Sequence, residues 1–206
     1  MRKSFYEKLD EISEDVISMG SLVQEAVHNA IKAFVEFDVE TAQKVIDEDI
    51  KIDEYDIMIE EKCIVVQAEH QPVASDLRFL HSVSLIIKYL ERIGDLSVNL
   101  ARIVKRLAKY KEIDQEIGID KELTTLITEM GSLVKSILGK ALEAFKNRDP
   151  KLASKLDRVD NPVDDIQKMI FKKLYVTHGK EGYQEEYVKF ITNISLASRY
   201  LERIGD

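Results

Sequence analysis

Pairs of acidic residues spaced four positions apart are the features of this chain that could do chemistry. Asp49 and Asp53 form one pair, and Glu91 and Asp95 form another. Residues i and i+4 of an α-helix lie on one face, with Cβ atoms about 5–6 Å apart. Both pairs recur at a constant offset of 111 positions. The recurring residues are Asp160, Asp164, Glu202 and Asp206. The sequence therefore predicts two patches of four carboxylates each.

The first pair of acids interrupts apolar stripes that have helical spacing. Asp49, together with Asp56, fills a gap in a stripe formed by Ala42, Val45, Ile52, Ile59, Cys63 and Val66. Asp53 fills the gap in a neighbouring stripe formed by Ile46, Ile50, Ile57 and Ile64. Apolar residues at this spacing normally mark the buried face of a helix. We therefore expect the acids to lie among apolar side chains.

Four carboxylates in one patch need compensation. Each pair of like charges about 5 Å apart costs roughly 3 kcal/mol at an effective dielectric constant of about 20. The acids must take up protons, pair with basic side chains such as Arg92 and Arg203, or surround a cation. Sites made only of carboxylates suit hard ions such as iron, manganese, magnesium or calcium, whereas zinc more often brings His or Cys ligands. Pairing with basic residues stays open as the alternative to a metal site.

Other catalytic arrangements are not supported by the sequence. Glu25 and His28 have the Glu-x-x-His spacing of di-iron bundles, but the equivalent positions in the second half are Ser136 and Gly139. Cys63, the single cysteine, lies on an apolar stripe and is interpreted as a core residue. No set of nucleophile, base and orienting group is recognisable, so we predict no catalytic residues.

The chain is an internal duplication, because many matches share the one offset. Residues 19–23 have the sequence Met-Gly-Ser-Leu-Val and recur as residues 130–134. Residues 89–95 have the sequence Tyr-Leu-Glu-Arg-Ile-Gly-Asp and recur unchanged as residues 200–206. We therefore predict one repeat in residues 1–110 and a second in residues 111–206. The first repeat continues past its Gly-Asp, so we expect the second to be incomplete in its last helix.

Helical periodicity within each repeat predicts an all-α fold of two tandem three-helix bundles. Asp149 before Pro150 predicts the start of a second helix, and the duplication predicts the same start near Asp38. Ser75 or Asp76 is expected to cap the third helix, and Pro162 to kink or delay the second helix of the second repeat. The linker between the bundles is predicted at residues 109–120.

Composition excludes several classes of protein. Eight glycines and three prolines in 206 residues are too few for a turn-rich β-sandwich or barrel. The net charge of -8 argues against a nucleic-acid-binding or anionic-membrane-binding surface. The chain has no run of about 20 apolar residues and no recognisable targeting segment, so we expect a cytoplasmic protein that reaches a membrane only through partners.

The repeated motifs also resemble a known family. The duplicated Met-Gly, the run Gln-Pro-Val-Ala-Ser-Asp-Leu-Arg at residues 71–78 and the duplicated Leu-Glu-Arg-Ile-Gly-Asp together resemble the PhoU family of phosphate-transport accessory proteins. The resemblance covers the whole chain. The second repeat departs from the family pattern because residues 182–189 replace the Gln-Pro-Val-Ala-Ser-Asp-Leu-Arg run.

The resemblance implies a fold, a cofactor and a role. It implies two related three-helix bundles, a multinuclear cluster of iron or zinc held by the paired acids, and a homodimer. It further implies a negative regulator of phosphate uptake and of the phosphate regulon, which contacts the ATPase subunit of the phosphate ABC transporter and the phosphate sensor histidine kinase. A non-catalytic adaptor is thus expected. The alternative is a metal-dependent hydrolase or oxidase built on the carboxylate clusters.

Overall fold

The computed structural model describes residues 2–108, 121–156, 161–177 and 185–206. Within these ranges the chain forms eight α-helices and no strand. The first repeat contains α1 (Arg2–Glu36), α2 (Val39–Glu48), α3 (Ile50–His70) and α4 (Ala74–Leu107). The second repeat contains α5 (Lys121–Lys146), α6 (Pro150–Leu156), α7 (Asn161–Thr177) and α8 (Glu185–Gly205). The predicted linker and Asp160 lie outside the described residues.

Each repeat packs its helices as three rods, which confirms the predicted fold class. In the first repeat α1 contacts both α3 and α4, while α2 and α3 together make the middle rod. In the second repeat α5 contacts α6, α7 and α8 in the same way. The predicted stripe of α1 is fully buried at Val16, Met19 and Val23, because the spacing of three and four residues places these side chains on one face. None of the described helices combines the length and apolarity that a membrane span requires.

Short turns join the first and second rods in the same way in both repeats. The carboxylate of Asp38 accepts hydrogen bonds from two backbone N–H groups of α2 at 3.0 and 3.1 Å. The carboxylate of Asp149 accepts the equivalent bonds in α6 at 2.9 and 3.1 Å. The residues before them, Phe37 and Arg148, both adopt a left-handed conformation, with φ values of 54° and 49°. The two caps predicted from the sequence are confirmed.

The start of α4 differs from the prediction. The helix begins at Ala74, after an extended Val73 that makes no side-chain cap, so Ser75 and Asp76 lie inside the first turn. The preceding helix ends at His70, and Gln71 adopts a left-handed conformation with φ of 44°. Because Val73, at the N-cap position, has no side-chain oxygen to accept from the first N–H groups, the chain enters α4 without a side-chain cap. Asp76 still favours the helix through its charge near the N-terminus.

The longer helix of the second rod begins at equivalent positions in the two repeats. Asp49 separates α2 from α3 although its backbone is helical, and its carbonyl accepts bonds from the N–H groups of Ile52 and Asp53 at 2.8 and 3.2 Å. In the second repeat α6 ends at Leu156 and α7 begins at Asn161. Pro162 therefore lies in the first turn of α7, where its missing N–H group costs no helical hydrogen bond. Because Asn161 is the equivalent of Ile50, α7 begins no later than α3, and the predicted delay is wrong.

The duplicated Met-Gly motif joins the two bundles. A Cβ atom on Gly20 of α1 would clash with a methyl group of Leu142 in α5. A Cβ atom on Gly131 of α5 would lie 2.8 Å from a methyl group of Ile31 in α1. Leu142 and Ile31 are also 111 positions apart. The glycine of each repeat therefore contacts the equivalent aliphatic side chain of the other repeat. The contact of α1 with α5 is therefore pseudo-symmetric, and α4 also contacts α8.

One apolar stripe of α3 does not contribute to the core. Ile52, Ile59 and the other members of the first stripe are buried, as expected. By contrast Ile50, Ile57 and Ile64 are 57%, 59% and 61% exposed. The expectation that Asp53 lies within a buried stripe is therefore wrong. A helix at the surface of a three-helix bundle has only one face toward its two neighbours, and the first stripe occupies that face.

Candidate metal centres

The first cluster of acids lies where the break in the second rod meets α4. Asp49 lies at the break and Asp53 in the first turn of α3, while Glu91 and Asp95 lie one turn apart on α4. A Cβ atom on Gly94 would lie 3.1 Å from the Oδ1 atom of Asp49, so this carboxylate rests directly on the backbone of α4. A glycine inside a helix costs about 1 kcal/mol relative to alanine. Here the glycine permits the close approach of the carboxylate.

The acids of the first cluster influence one another electrostatically. Burial, followed by the charges of Asp53, Asp95 and Glu91, raises the pKa of Asp49 to about 6. Burial and the charge of Asp95 are likewise the main causes that raise the pKa of Glu91. Arg102 acts in the opposite direction on the pKa of Asp49. The four predicted acids of this repeat therefore lie close enough together for their charges to raise the pKa values of Asp49 and Glu91.

Asp56 is a further member of this cluster that the sequence analysis did not assign to the site. The residue is only 8% exposed, and its charge contributes to the raised pKa of Glu91. Lys88 Nζ donates to Asp56 Oδ2 at 2.6 Å and to Glu60 Oε2 at 3.1 Å. The Oδ1 atom of Asp56 is buried and has no hydrogen-bond partner. Its place in the apolar stripe of α3 was the available signal, because an acid on a core face requires a partner.

The second cluster brings three of the predicted acids closer together than the described acids of the first cluster. One carboxylate oxygen from each of Asp164, Glu202 and Asp206 lies within 4.8 Å of the others. Burial, followed by the charges of Asp206 and Asp164, raises the pKa of Glu202. No comparable group of three oxygens is found in the first bundle among the described residues. The fourth predicted acid, Asp160, is outside those residues.

The two clusters differ because of two substitutions between the repeats. The position equivalent to Asp56 is Gln167, and the position equivalent to Lys88 is Arg199. A hydrogen bond from Gln167 and the charge of Arg199 both act to lower the pKa of Glu202. The first bundle thus holds an ammonium group against a buried aspartate, whereas the second replaces that aspartate with a neutral amide. The second cluster consequently has fewer acids, and its oxygens also converge more closely.

The donor chemistry of the second cluster fits a hard cation. The three carboxylates, which belong to α7, to α8 and to the residue directly after α8, offer oxygen atoms only, which suits iron in its harder forms, manganese or magnesium. In the first cluster the partnerless Oδ1 atom of Asp56 offers one further oxygen, although Lys88 already neutralises this side chain. The group of converging ligand atoms found among the described residues contains no His or Cys. Zinc is therefore the less suitable ion on the residues alone.

We predict that Asp49→Asn stabilises the metal-free protein at neutral pH. Because the folded-state pKa is about 6 and the ordinary value is 3.8, the folded state binds more protons than the unfolded state between these values. The stability of the metal-free protein therefore falls as pH rises through this range. After allowance for solvent screening the cost at pH 7 is about 1 kcal/mol.

The measurement is urea unfolding in the presence of a chelator at pH 4 and pH 7. Asp49→Asn should gain stability at pH 7 and change little at pH 4. Asp47→Asn, which alters an exposed acid of α2, serves as the matched control. A loss of stability in Asp49→Asn at pH 7 would contradict the repulsion inferred for this cluster.

The comparisons of this chain with known proteins all indicate the same family. Two segments of the chain, residues 16–104 and 127–206, match the PhoU domain, and their starts differ by the same 111 positions. The chain is 34% identical over 206 residues to a phosphate-specific transport system accessory protein PhoU homologue of Clostridium acetobutylicum, covering 100% of this chain and 89% of that protein. It is 33% identical to the homologue of Pseudomonas aeruginosa, covering 99% of this chain and 80% of that protein.

Solved structures agree with these sequence matches. The crystal structure of PhoU from Pseudomonas aeruginosa superimposes with a TM-score of 0.87 at 32% identity, covering 98% of this chain and 92% of that one. The crystal structure of the phosphate transport system regulatory protein PhoU from Streptococcus pneumoniae gives a TM-score of 0.79 at 24% identity, covering 98% and 93%. The second comparison supports the fold alone.

Proposed function

This chain belongs to the PhoU family, and from that premise we propose that it is a metal-binding adaptor that regulates phosphate transport. An accessory role in phosphate transport follows from the relatives, which are described as accessory proteins of the phosphate-specific transport system. The family is one of accessory and regulatory proteins and not of enzymes, so the expectation of a non-catalytic protein is confirmed. The alternative of a hydrolase or oxidase is set aside on the same ground.

The observation that carries the metal-binding part is the convergence of three carboxylates in the second bundle. Their oxygens lie within 4.8 Å of one another. Burial and the charges of Asp206 and Asp164 raise the pKa of Glu202, as expected for carboxylates that repel one another. A bound cation would cancel this repulsion and tie α7 to α8. We propose Asp164, Glu202 and Asp206 as its ligands, with Asp160 as a fourth. Iron is the preferred ion, and manganese, magnesium and zinc are the other candidates.

We propose a second, weaker site in the first bundle. Asp49, Asp53, Glu91 and Asp95 would supply its ligands. Lys88 already supplies a positive charge to the neighbouring Asp56, at a distance of 2.6 Å. Among the described residues, no three oxygens of the first bundle converge as those of Asp164, Glu202 and Asp206 do, so the affinity of this site should be lower than in the second bundle. A multinuclear cluster is the form that the family resemblance favours.

The proposed partners are two components of the phosphate-uptake system. We propose that this protein acts in the cytoplasm as a homodimer and contacts the ATPase subunit of the phosphate ABC transporter and the phosphate sensor histidine kinase. It would thereby restrain phosphate uptake and the phosphate regulon. The support is the family membership together with the relatives' description as accessory proteins of this transport system.

The test is retention of the purified ATPase subunit on the immobilised protein. We expect retention by the metal-loaded wild type, and a reduction of about fivefold or more after chelation or in Glu202→Gln. Glu185→Gln, which changes an exposed acid of the same helix, is the matched control and should retain the ATPase fully. Failure of the metal-loaded wild type to retain the ATPase would contradict the adaptor role. Equal retention by Glu202→Gln would contradict its dependence on metal.

A further inference from the structure

The outer surface of α3 carries an apolar ridge that no part of the described chain covers. Ile50, Ile57 and Ile64 are spaced seven residues apart and are each more than half exposed. They lie on the side of α3 opposite its buried residues, which include Ile52 and Ile59. We call these three isoleucines the α3 ridge. At 1.5 Å per residue the ridge extends for about 21 Å along the helix.

The internal duplication shows that the fold does not require apolar residues at these positions. The equivalent residues of the second repeat are Asn161, Lys168 and Tyr175. The side chain of Lys168 is 72% exposed and pairs with Asp165, as expected for a solvated helix surface. The same three-rod bundle therefore forms with a polar residue at the centre of the ridge. Folding therefore does not account for the isoleucines of the first repeat, and exposed apolar ridges on proteins commonly mark interaction sites.

The charges beside the ridge indicate what kind of partner fits. Glu54 and Glu61 lie four residues after Ile50 and Ile57, on the same exposed face. Neither glutamate forms an ion pair with a residue in the described part of the chain. The nearby lysines are engaged elsewhere, since Lys51 pairs with Glu48 at 2.9 Å and Lys62 with Asp15 at 2.5 Å. The ridge is thus apolar along its centre and uncompensated negative along its side.

We propose that the α3 ridge is the docking site for an amphipathic helix of a partner protein, with apolar residues at heptad spacing and Lys or Arg beside them. Three isoleucines at intervals of seven residues match the repeat of a two-helix seam. Basic residues on the partner would compensate Glu54 and Glu61. A second copy of the chain fits less well, because two ridges packed together would bring the glutamates of both copies to one seam.

The proposal rests on the proposed function only in assuming that the protein has a partner. The probe is a synthetic helical peptide of 21 residues with Leu at the heptad positions and Arg beside them, labelled for fluorescence anisotropy. A matched peptide carries Glu in place of Arg. The test variant is the triple change Ile50→Asn, Ile57→Lys and Ile64→Tyr, which introduces the residues of the second repeat. Met169→Lys, which changes a half-exposed apolar residue of α7, is the control.

We expect the wild type and Met169→Lys to bind the Arg peptide equally. The triple variant should bind it at least about tenfold more weakly, as should the wild type with the Glu peptide. Absence of binding to the Arg peptide, or equal binding by the triple variant, would overturn the proposal. So would a dimer of the wild type that the triple variant loses in sedimentation, because a second copy would then be the occupant.

The peptide-binding experiment and the ATPase-retention experiment can fail independently of each other. If the wild type does not bind the Arg peptide but, when loaded with metal, still retains the ATPase subunit, only the proposal that the α3 ridge is a docking site is rejected. Peptide binding without retention of the ATPase would reject the adaptor role in phosphate transport and leave the ridge as a docking site. Circular dichroism of the triple variant establishes that its helices are intact.

Discussion

Glu202→Gln is expected to lower the affinity of the second bundle for Mn²⁺ by on the order of 100-fold at pH 7, because an amide cannot replace a charged oxygen ligand of a hard cation. The three oxygens of this cluster lie within 4.8 Å of one another, so the loss of one carboxylate removes a third of the described donor set. The affinity is measured by isothermal titration of chelator-treated protein with Mn²⁺.

The same prediction can be tested through stability. A ligand present at 100 times its dissociation constant adds about 2.7 kcal/mol to the stability of the folded state. Mn²⁺ should therefore raise the melting temperature of the wild type and of the control variant Glu185→Gln, but not that of Glu202→Gln at the same concentration. If Glu202→Gln binds Mn²⁺ as tightly as the wild type, these three acids do not form the site.

Lys88→Met is expected to destabilise the protein by about 2 kcal/mol at pH 7. Removing one partner of a buried ion pair typically costs about 3–5 kcal/mol, and the cost is smaller here because Lys88 is half exposed. The carboxylate that loses its partner, Asp56, is 8% exposed and has one oxygen that already lacks a hydrogen bond. The hydrogen bond to Asp56 raises the pKa of Lys88, as expected when the folded state favours the charged form.

The control for Lys88→Met is the double variant Lys88→Met with Asp56→Asn. Removing the unpaired charge should restore most of the lost stability, because the penalty lies in the isolated carboxylate and not in the missing ammonium group. Stability is measured by urea unfolding in the presence of a chelator. A single variant as stable as the wild type would show that Asp56 finds another partner or stays protonated, and would remove the case for an internal cation in the first bundle.

The two clusters of acids differ in the side chains that surround them. Both repeats keep the paired acids, but Asp56 and Lys88 of the first correspond to Gln167 and Arg199 of the second. Both clusters thus have a basic side chain nearby, but Lys88 is held by a buried aspartate of the first cluster, whereas Arg199 has no equivalent aspartate in the second.

The sequence by itself determined the architecture and the family. The offset of 111 positions revealed the duplication, and the helical spacing of apolar residues placed all three rods of each repeat. Asp38 and Asp149 were identifiable as helix caps because capping is a local interaction between a side chain and the next few N–H groups. These features depend on residues close together in the chain, and residue types suffice to predict them.

Only the tertiary structure decided which residues of different helices meet. Helical periodicity gives the angular position of each residue on its own helix, but α3 has two apolar stripes and the spacing cannot say which one faces the core. The exposure of Ile57 and the burial of Asp56 against Lys88 follow from how α3 lies against α1 and α4. Likewise the fit of Gly20 against Leu142, and the convergence of Asp164 with Glu202, depend on contacts between residues far apart in sequence.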